Sequence, residues 1–312
     1  MKRKHIAIFL ALAIGVKLLG GLHCSTEGSK WILGQILPIK GAVAESFAPS
    51  LLRMGNSVFS ARLPKSRKQE PKKESESAAP VAWSPQVRNQ TSYEINPAEL
   101  VRQALPFLPL RDGKLPQVLI VHTHTSEGYQ PEERSQDPEK NVIAIGEILT
   151  RALEKEGIGV IHDTTVHDAD YNGSYGRSRE TVEQILADHP SIQIVLDVHR
   201  DAATMEDGGS LAVTTDWEGK QVGQIMLVIG TDEGGLDHPD WKSNLSFALR
   251  LQREMDQQFP GLSRPLILRK ERYNQDLAPG MVIVEVAASG NQPEEAKAGV
   301  KLFAKAMIKT LK

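Results

Sequence analysis

From position 117 onward, short apolar runs alternate with stretches in which apolar residues recur every three or four positions. Gln117–Val121, Gly159–His162, Gln193–Val198, Ile225–Ile229 and Met281–Val286 are Val- and Ile-rich on both alternating faces, the pattern of strands buried on both sides. Between them the period changes. Ile145, Ile148, Leu149, Ala152 and Leu153 share one face of a helix predicted over Val142–Glu156, with Gly157 as its stop. Further helices are predicted over Arg179–His189, ended by Pro190, over Ser243–Phe259, and over Glu294–Leu311. Strands and helices in alternation predict an α/β domain of three layers, a mainly parallel sheet flanked by helices.

The first hundred residues read differently. Lys2, Arg3 and Lys4 precede an apolar stretch from Ile6 to Leu22, interrupted mainly by Lys17. A basic flank before such a stretch predicts an uncleaved membrane anchor over residues 1–24, with the remainder of the chain outside the cytoplasm. A cleaved signal peptide is the competing reading, and Gly21-Leu22-His23-Cys24 fits a lipidation site poorly because His precedes the cysteine. Residues 25–63 hold only short apolar patches such as Trp31-Ile32-Leu33. Residues 64–93 turn to Lys, Glu, Ser, Pro and Gln, which bury too little apolar surface to offset their ordering entropy, so a flexible tether is expected there. The catalytic domain is then expected over 94–312, carried away from a membrane surface by the tether.

Composition narrows the chemistry. A net charge of −2 with 5% aromatic residues gives no footprint for nucleic acid. The single cysteine, Cys24, excludes an internal disulfide framework and a Cys-rich zinc module, so a metal would be held by His, Asp or Glu.

In parallel α/β sheets, sites form at the carboxyl ends of strands. Three predicted strand ends carry suitable groups: His122-Thr123-His124-Thr125-Ser126-Glu127, then Asp197-Val198-His199-Arg200-Asp201, and Glu285 between two valines. Two histidines and one carboxylate leave a position open on tetrahedral zinc, and zinc so held can activate water against a carbonyl. A further carboxylate is then needed to carry the proton to the leaving nitrogen. A carboxylate amid valines is costly unless paired or functional, which marks Glu285 for that role. His162, His167, His189 and His238 read as hydrogen-bonded structural residues, and Arg200-Asp201 as either an ion pair or a functional pair.

Taken in order, these residues resemble the stage II sporulation protein P family of cell-wall hydrolases. The resemblance is carried by His122 to Glu127, Gly157 to Asp163, Ser174 to Ser178, Asp197 to Asp201, Asn244 to Ala248, Pro260-Gly261-Leu262, Arg264-Pro265 and Arg272 to Gln275. It covers roughly residues 110–312, together with the N-terminal anchor. More distantly, the region is similar to the zinc-dependent N-acetylmuramoyl-L-alanine amidases. That similarity implies His124 and His199 as zinc ligands, and Glu285, followed by Asn291, as the catalytic glutamate. For the third ligand, Glu139 suits the amidase spacing while Glu127 belongs to the sporulation-type motif; Glu127 is taken first. The amidases' Asp-Pro-Gly is replaced by residues that include His122 and Thr123, which makes His122 a candidate to orient or replace a ligand.

The resemblance implies hydrolysis of the amide between N-acetylmuramic acid and L-alanine in peptidoglycan, and cutting of peptide cross-links. It also implies action with stage II sporulation proteins D and M during forespore engulfment, at the membrane of the sporulating cell. Arg200 or Arg272 would hold a carboxylate of the stem peptide. A non-catalytic wall-binding scaffold and a zinc carboxypeptidase acting on stem peptides are the alternatives.

Overall fold

A computed structural model of the chain describes residues 83–105, 107 and 115–312. The expected anchor, the juxtamembrane region and residues 64–82 of the expected tether lie outside the described residues. Among the described residues, no helix is long and apolar enough to cross a membrane.

Seven strands form one sheet in the order β1-β8-β7-β9-β4-β2-β3. They are β1 (Val87–Asn89), β2 (Pro116–Val121), β3 (Gly159–His162), β4 (Ile194–Asp201), β7 (Ile225–Gly230), β8 (Leu266–Arg269) and β9 (Gly280–Ala288). A separate hairpin joins β5 (Thr214–Trp217) to β6 (Lys220–Gly223). The helices are α1 (Pro97–Leu100), α2 (Val142–Lys155), α3 (Ser174–Asp188), α4 (Trp241–Gln258) and α5 (Pro293–Leu311). β3, β2, β4 and β9 run parallel, and within the seven-stranded sheet only the β7–β9 pair is antiparallel. The alternating α/β pattern read from the sequence is therefore the architecture observed, a mainly parallel sheet flanked by helices.

The strands are apolar on both faces because both faces are covered. Val118, Ile120, Leu196, Val198 and Val284 join the core beneath α2, α4 and α5. Their alternates Leu119, Val121, Val195 and Met281 pack with Val182 of α3 and Ala278 in a second cluster. This odd–even division governs where every later side chain of β2, β4 and β9 points.

Several elements depart from the sequence reading. Val87–Asn89, inside the segment expected to be tether, pairs in parallel with Leu266–Leu268, and the Trp83 indole N–H donates to Asp256 at 2.8 Å. A polar composition hides such an edge strand, because its stabilisation comes from the sheet it joins. The hairpin at Thr214–Gly223 escapes for a similar reason. Its two-residue turn places Glu218 and Gly219 at φ of 53° and 75°, the geometry that matches strand twist. α3 starts at Ser174 rather than Arg179, since its polar first turn carries no apolar period.

Helix α2 approaches the sheet unusually closely at Gly146. A Cβ there would stand 2.5 Å from His162 Nε2 and 2.7 Å from His122 Nε2. Gly146→Ala is therefore expected to destabilise the chain by about 1–3 kcal/mol through overpacking, although alanine is the better helix former by roughly 1 kcal/mol. Urea denaturation of the two proteins decides the sign; a more stable variant would show that the two rings yield freely.

Candidate metal centre and active site

The odd–even division of the strands places the chemistry. Asp197 and His199 are in phase with Val195, and Glu285 is in phase with Met281 and Ile283, so all three side chains stand on the α3 face of the sheet. His199 and Glu285 are register partners on neighbouring parallel strands. His122 is in phase with Ile120 and falls on the opposite face. There its Nδ1 donates to the Val198 carbonyl at 2.9 Å, and its Nε2 accepts from His162 Nε2 at 2.9 Å. Burial, then the neighbouring His162, pushes His122 down to about 3, so the ring is neutral. His122 lies outside the group formed by His124, Glu127 and His199 and packs against Gly146 of α2.

The chain turns after β2 and returns Glu127 to the site. Its loop is pinned at several points. Tyr129 Oη donates to the Val286 carbonyl at 2.9 Å. The buried Arg200 donates from Nε to Gly128 O and from Nη2 to Glu133 O, each at 3.0 Å. Among the described residues, His124, Glu127 and His199 then form a buried group whose ligand-type atoms all lie within 4.8 Å of one another. His199 Nδ1 is 3.1 Å from Glu127 Oε2, and His124 Nδ1 is 3.5 Å from Glu127 Oε1. Glu139, the alternative third carboxylate, is exposed and outside this group.

Behind the group stands Asp197, which the sequence reading quotes in its motif without giving it a role. Asp197 Oδ1 is 2.9 Å from His199 Nε2. The same carboxylate accepts from the Thr123 amide at 2.9 Å and the Thr123 hydroxyl at 2.7 Å. The signal was an acidic residue two positions before His199 in an apolar strand, hence on the same face. Thr123 is held in turn by Ser178 Oγ at 2.9 Å, and Ser178 by Asn274 Nδ2 at 3.0 Å. Three separate segments of the sequence thus converge behind one imidazole.

Charge and burial set the protonation states. Burial disfavours a charged His199, but Asp197 and Glu127 on either side hold its pKa well above the ordinary value. Burial likewise pushes Glu127 up, yet the His199 charge and hydrogen bonds from both histidines hold it below the usual carboxylate range. Glu285 goes the other way. Burial pushes it up to about 8, His199 opposes, and the Glu127 charge adds to the rise. Its Oε2 is buried without a hydrogen-bond partner.

The arginines proposed from sequence to clamp substrate are engaged elsewhere. Arg200 is spent on loop carbonyls, as above, and Asp201 pairs with Arg264 at 2.7 Å. Arg272 donates to the Asp237 carbonyl at 3.0 Å and lies 3.2 Å from Asp276. Asn291 is a structural pin, accepting from the Val213 and Ala288 amides at 2.9 Å each.

Glu285 yields a sign-definite expectation. Its pKa is 4.5 in the unfolded reference and about 8 in the fold, so the native state binds the extra proton and loses stability as pH rises through that window. With a chelator present, Glu285→Gln is expected to match wild type below pH ~4 and to gain on the order of 1–3 kcal/mol by pH ~8. Thermal melts across that range test it; a gain independent of pH contradicts the assigned burial of the carboxyl.

The sequence profile of the stage II sporulation protein P family matches residues 45–308. Stage II sporulation protein P of Bacillus subtilis (strain 168) is 28% identical over 197 residues, which is 57% of this chain and 47% of the relative, so the match spans about half of the relative's length. Among solved structures, an N-acetylmuramoyl-L-alanine amidase of Nostoc punctiforme is similar over 64% of this chain and 98% of its own, at 13% identity and a TM-score of 0.41. One from Clostridium difficile 630 is similar over 62% and 96%, at 11% identity and a TM-score of 0.42. With its sequence matched by the family profile from residue 45 to residue 308, the chain belongs to the stage II sporulation protein P family.

Proposed function

We propose that this chain is a peptidoglycan hydrolase of sporulation, a zinc-dependent N-acetylmuramoyl-L-alanine amidase. The observation that carries the reading is the convergence of His124, Glu127 and His199 beside Glu285, whose buried Oε2 has no partner. The donor set fits zinc: two imidazoles and a carboxylate, buried, one on β4 and two on the pinned loop after β2, with a carboxylate behind one imidazole. His124, Glu127 and His199 would hold the ion. Zinc, when bound, supplies Lewis acidity toward the scissile carbonyl.

The chain's own groups account for the remainder. Asp197 Oδ1 stands 2.9 Å from Nε2 of His199, so Nδ1 is the nitrogen turned to Glu127. Glu285, raised toward neutrality by burial, takes a proton from the attacking water and returns it to the departing amine. Because Asp197 and Glu127 raise the proton affinity of His199 against its burial, a bound metal competes with that proton, and affinity should weaken as pH falls. Action outside the cytoplasm from an N-terminal anchor and tether, alongside stage II sporulation proteins D and M, completes the proposal. It rests on the basic-then-apolar N-terminus and on the family resemblance.

The test uses the full chain with zinc content and released fragments measured together. Wild type should hold about one zinc and release stem peptides from peptidoglycan. His124→Ala should lose the metal. Asp197→Asn should weaken zinc binding roughly 10- to 100-fold. Glu285→Gln should keep the metal and lose roughly 100-fold or more in rate. Zinc-loaded wild type that releases no peptide, even with a glycan-cleaving partner, would sink the amidase reading in favour of a wall-binding scaffold; release of terminal amino acids alone would make it a carboxypeptidase.

A further inference from the structure

A cavity of about 430 Å³ opens beside the ligand group, lined in part by Ser126, Arg134, Asp168 and Tyr171. Tyr171 is 54% exposed, yet its ring stacks on His124 with centroids 4.5 Å apart and planes 14° apart. Tyr171 therefore reaches from a buried histidine out to the rim of the cavity. Arg134 reaches over that same ring, its guanidinium carbon 5.0 Å from the centroid. The Arg134 side chain is half exposed.

Arg134 is committed by one nitrogen only. Nη1 donates to Ser126 Oγ at 2.9 Å and lies 3.5 Å from Asp168 Oδ2. Among the described residues, Nε and Nη2 have no hydrogen-bond partner, and those two donors form the planar edge that matches a carboxylate bidentately. Asp168 does not compete for that edge. It is buried and saturated by the Thr125 hydroxyl at 2.7 Å, the Ser126 hydroxyl at 2.5 Å and the Ser126 amide at 3.1 Å. The loop that carries Arg134 is the one anchored by Arg200 and Tyr129, so the guanidinium is presented from a fixed backbone.

We propose that Arg134, stacked on Tyr171, forms a subsite that binds a carboxylate of the peptide substrate next to the scissile amide. The inference rests on the hydrolase reading and names its substrate preference, an acidic peptide. The reach suits it: two residues of extended peptide span about 7 Å, and Arg134 stands two ring contacts from His124. Arg134 reads the charge, and Tyr171, lying between its guanidinium and the His124 ring, ties the subsite to the site.

The experiment compares two synthetic muramoyl peptides that are identical except that the carboxylate beside the scissile residue is free in one and amidated in the other. Hydrolysis is measured with the full zinc-loaded chain, and binding by calorimetry with the Glu285→Gln chain, alone and combined with Arg134→Gln or Arg134→Lys. Expected are a wild-type preference for the free acid, and collapse of that preference in Arg134→Gln through a KM raised roughly 10- to 100-fold on the acid. Arg134→Lys should recover part of it, having the charge without the fork. Equal losses on both peptides, or none, overturn the subsite, as does a Glu285→Gln chain that binds both peptides equally or binds neither. If wild type cleaves neither peptide yet the acid binds in an Arg134-dependent manner, the subsite stands and the hydrolase reading falls.

Discussion

The site depends on one constraint: His199 is buried between two carboxylates, Asp197 and Glu127. Burying charges is costly unless they are paired and hydrogen-bonded. Here each carboxylate also accepts from other donors, Asp197 from the Thr123 amide and hydroxyl, Glu127 from the Arg200 amide at 3.2 Å. An imidazolium between two anions is a stable arrangement without metal, and the same geometry suits a cation in place of the proton. The surrounding structure serves to keep that arrangement dry and rigid.

Two sets of supports do so, and they come from opposite sides. Behind His199, Asn274, Ser178 and Thr123 link a loop, α3 and β2 to Asp197. In front, the guanidinium of Arg200 folds the loop after β2 so that Glu127 comes back over β4. Arg200 is the residue next to His199 and therefore on the other side of the strand, so one strand end turns an imidazole to one face and a loop anchor to the other. That explains why an arginine in the motif acts on the loop backbone, while Arg134 stands on the exposed rim of the same loop.

Glu285 shows the complementary principle. It is left with a buried, partnerless oxygen beside an anionic neighbour, which raises its proton affinity toward the pH at which it would work. The fold tolerates the cost because the valines that bracket Glu285 pack into the core beneath the helices, and His199 beside it offsets part of the repulsion. Stability is sacrificed at one point of an otherwise well-packed sheet.

Much of this was legible in the sequence. The apolar runs are buried on both faces, so the strands and the three-layer α/β class follow from composition and period alone. His124, His199 and Glu285 also stand out there as candidates, because polar groups at the ends of apolar strands are conspicuous. What the sequence could not decide was which carboxylate closes the group, since Glu127 and Glu139 lie in the same loop and only its folded path brings one of them to His199. The side on which His122 falls, the bracing of His199 by Asp197, Thr123 and Ser178, and the placing of Arg134 over Tyr171 were likewise settled by tertiary structure. Strand period writes local direction into the chain, whereas contacts between segments far apart in sequence exist only once the sheet has set its register.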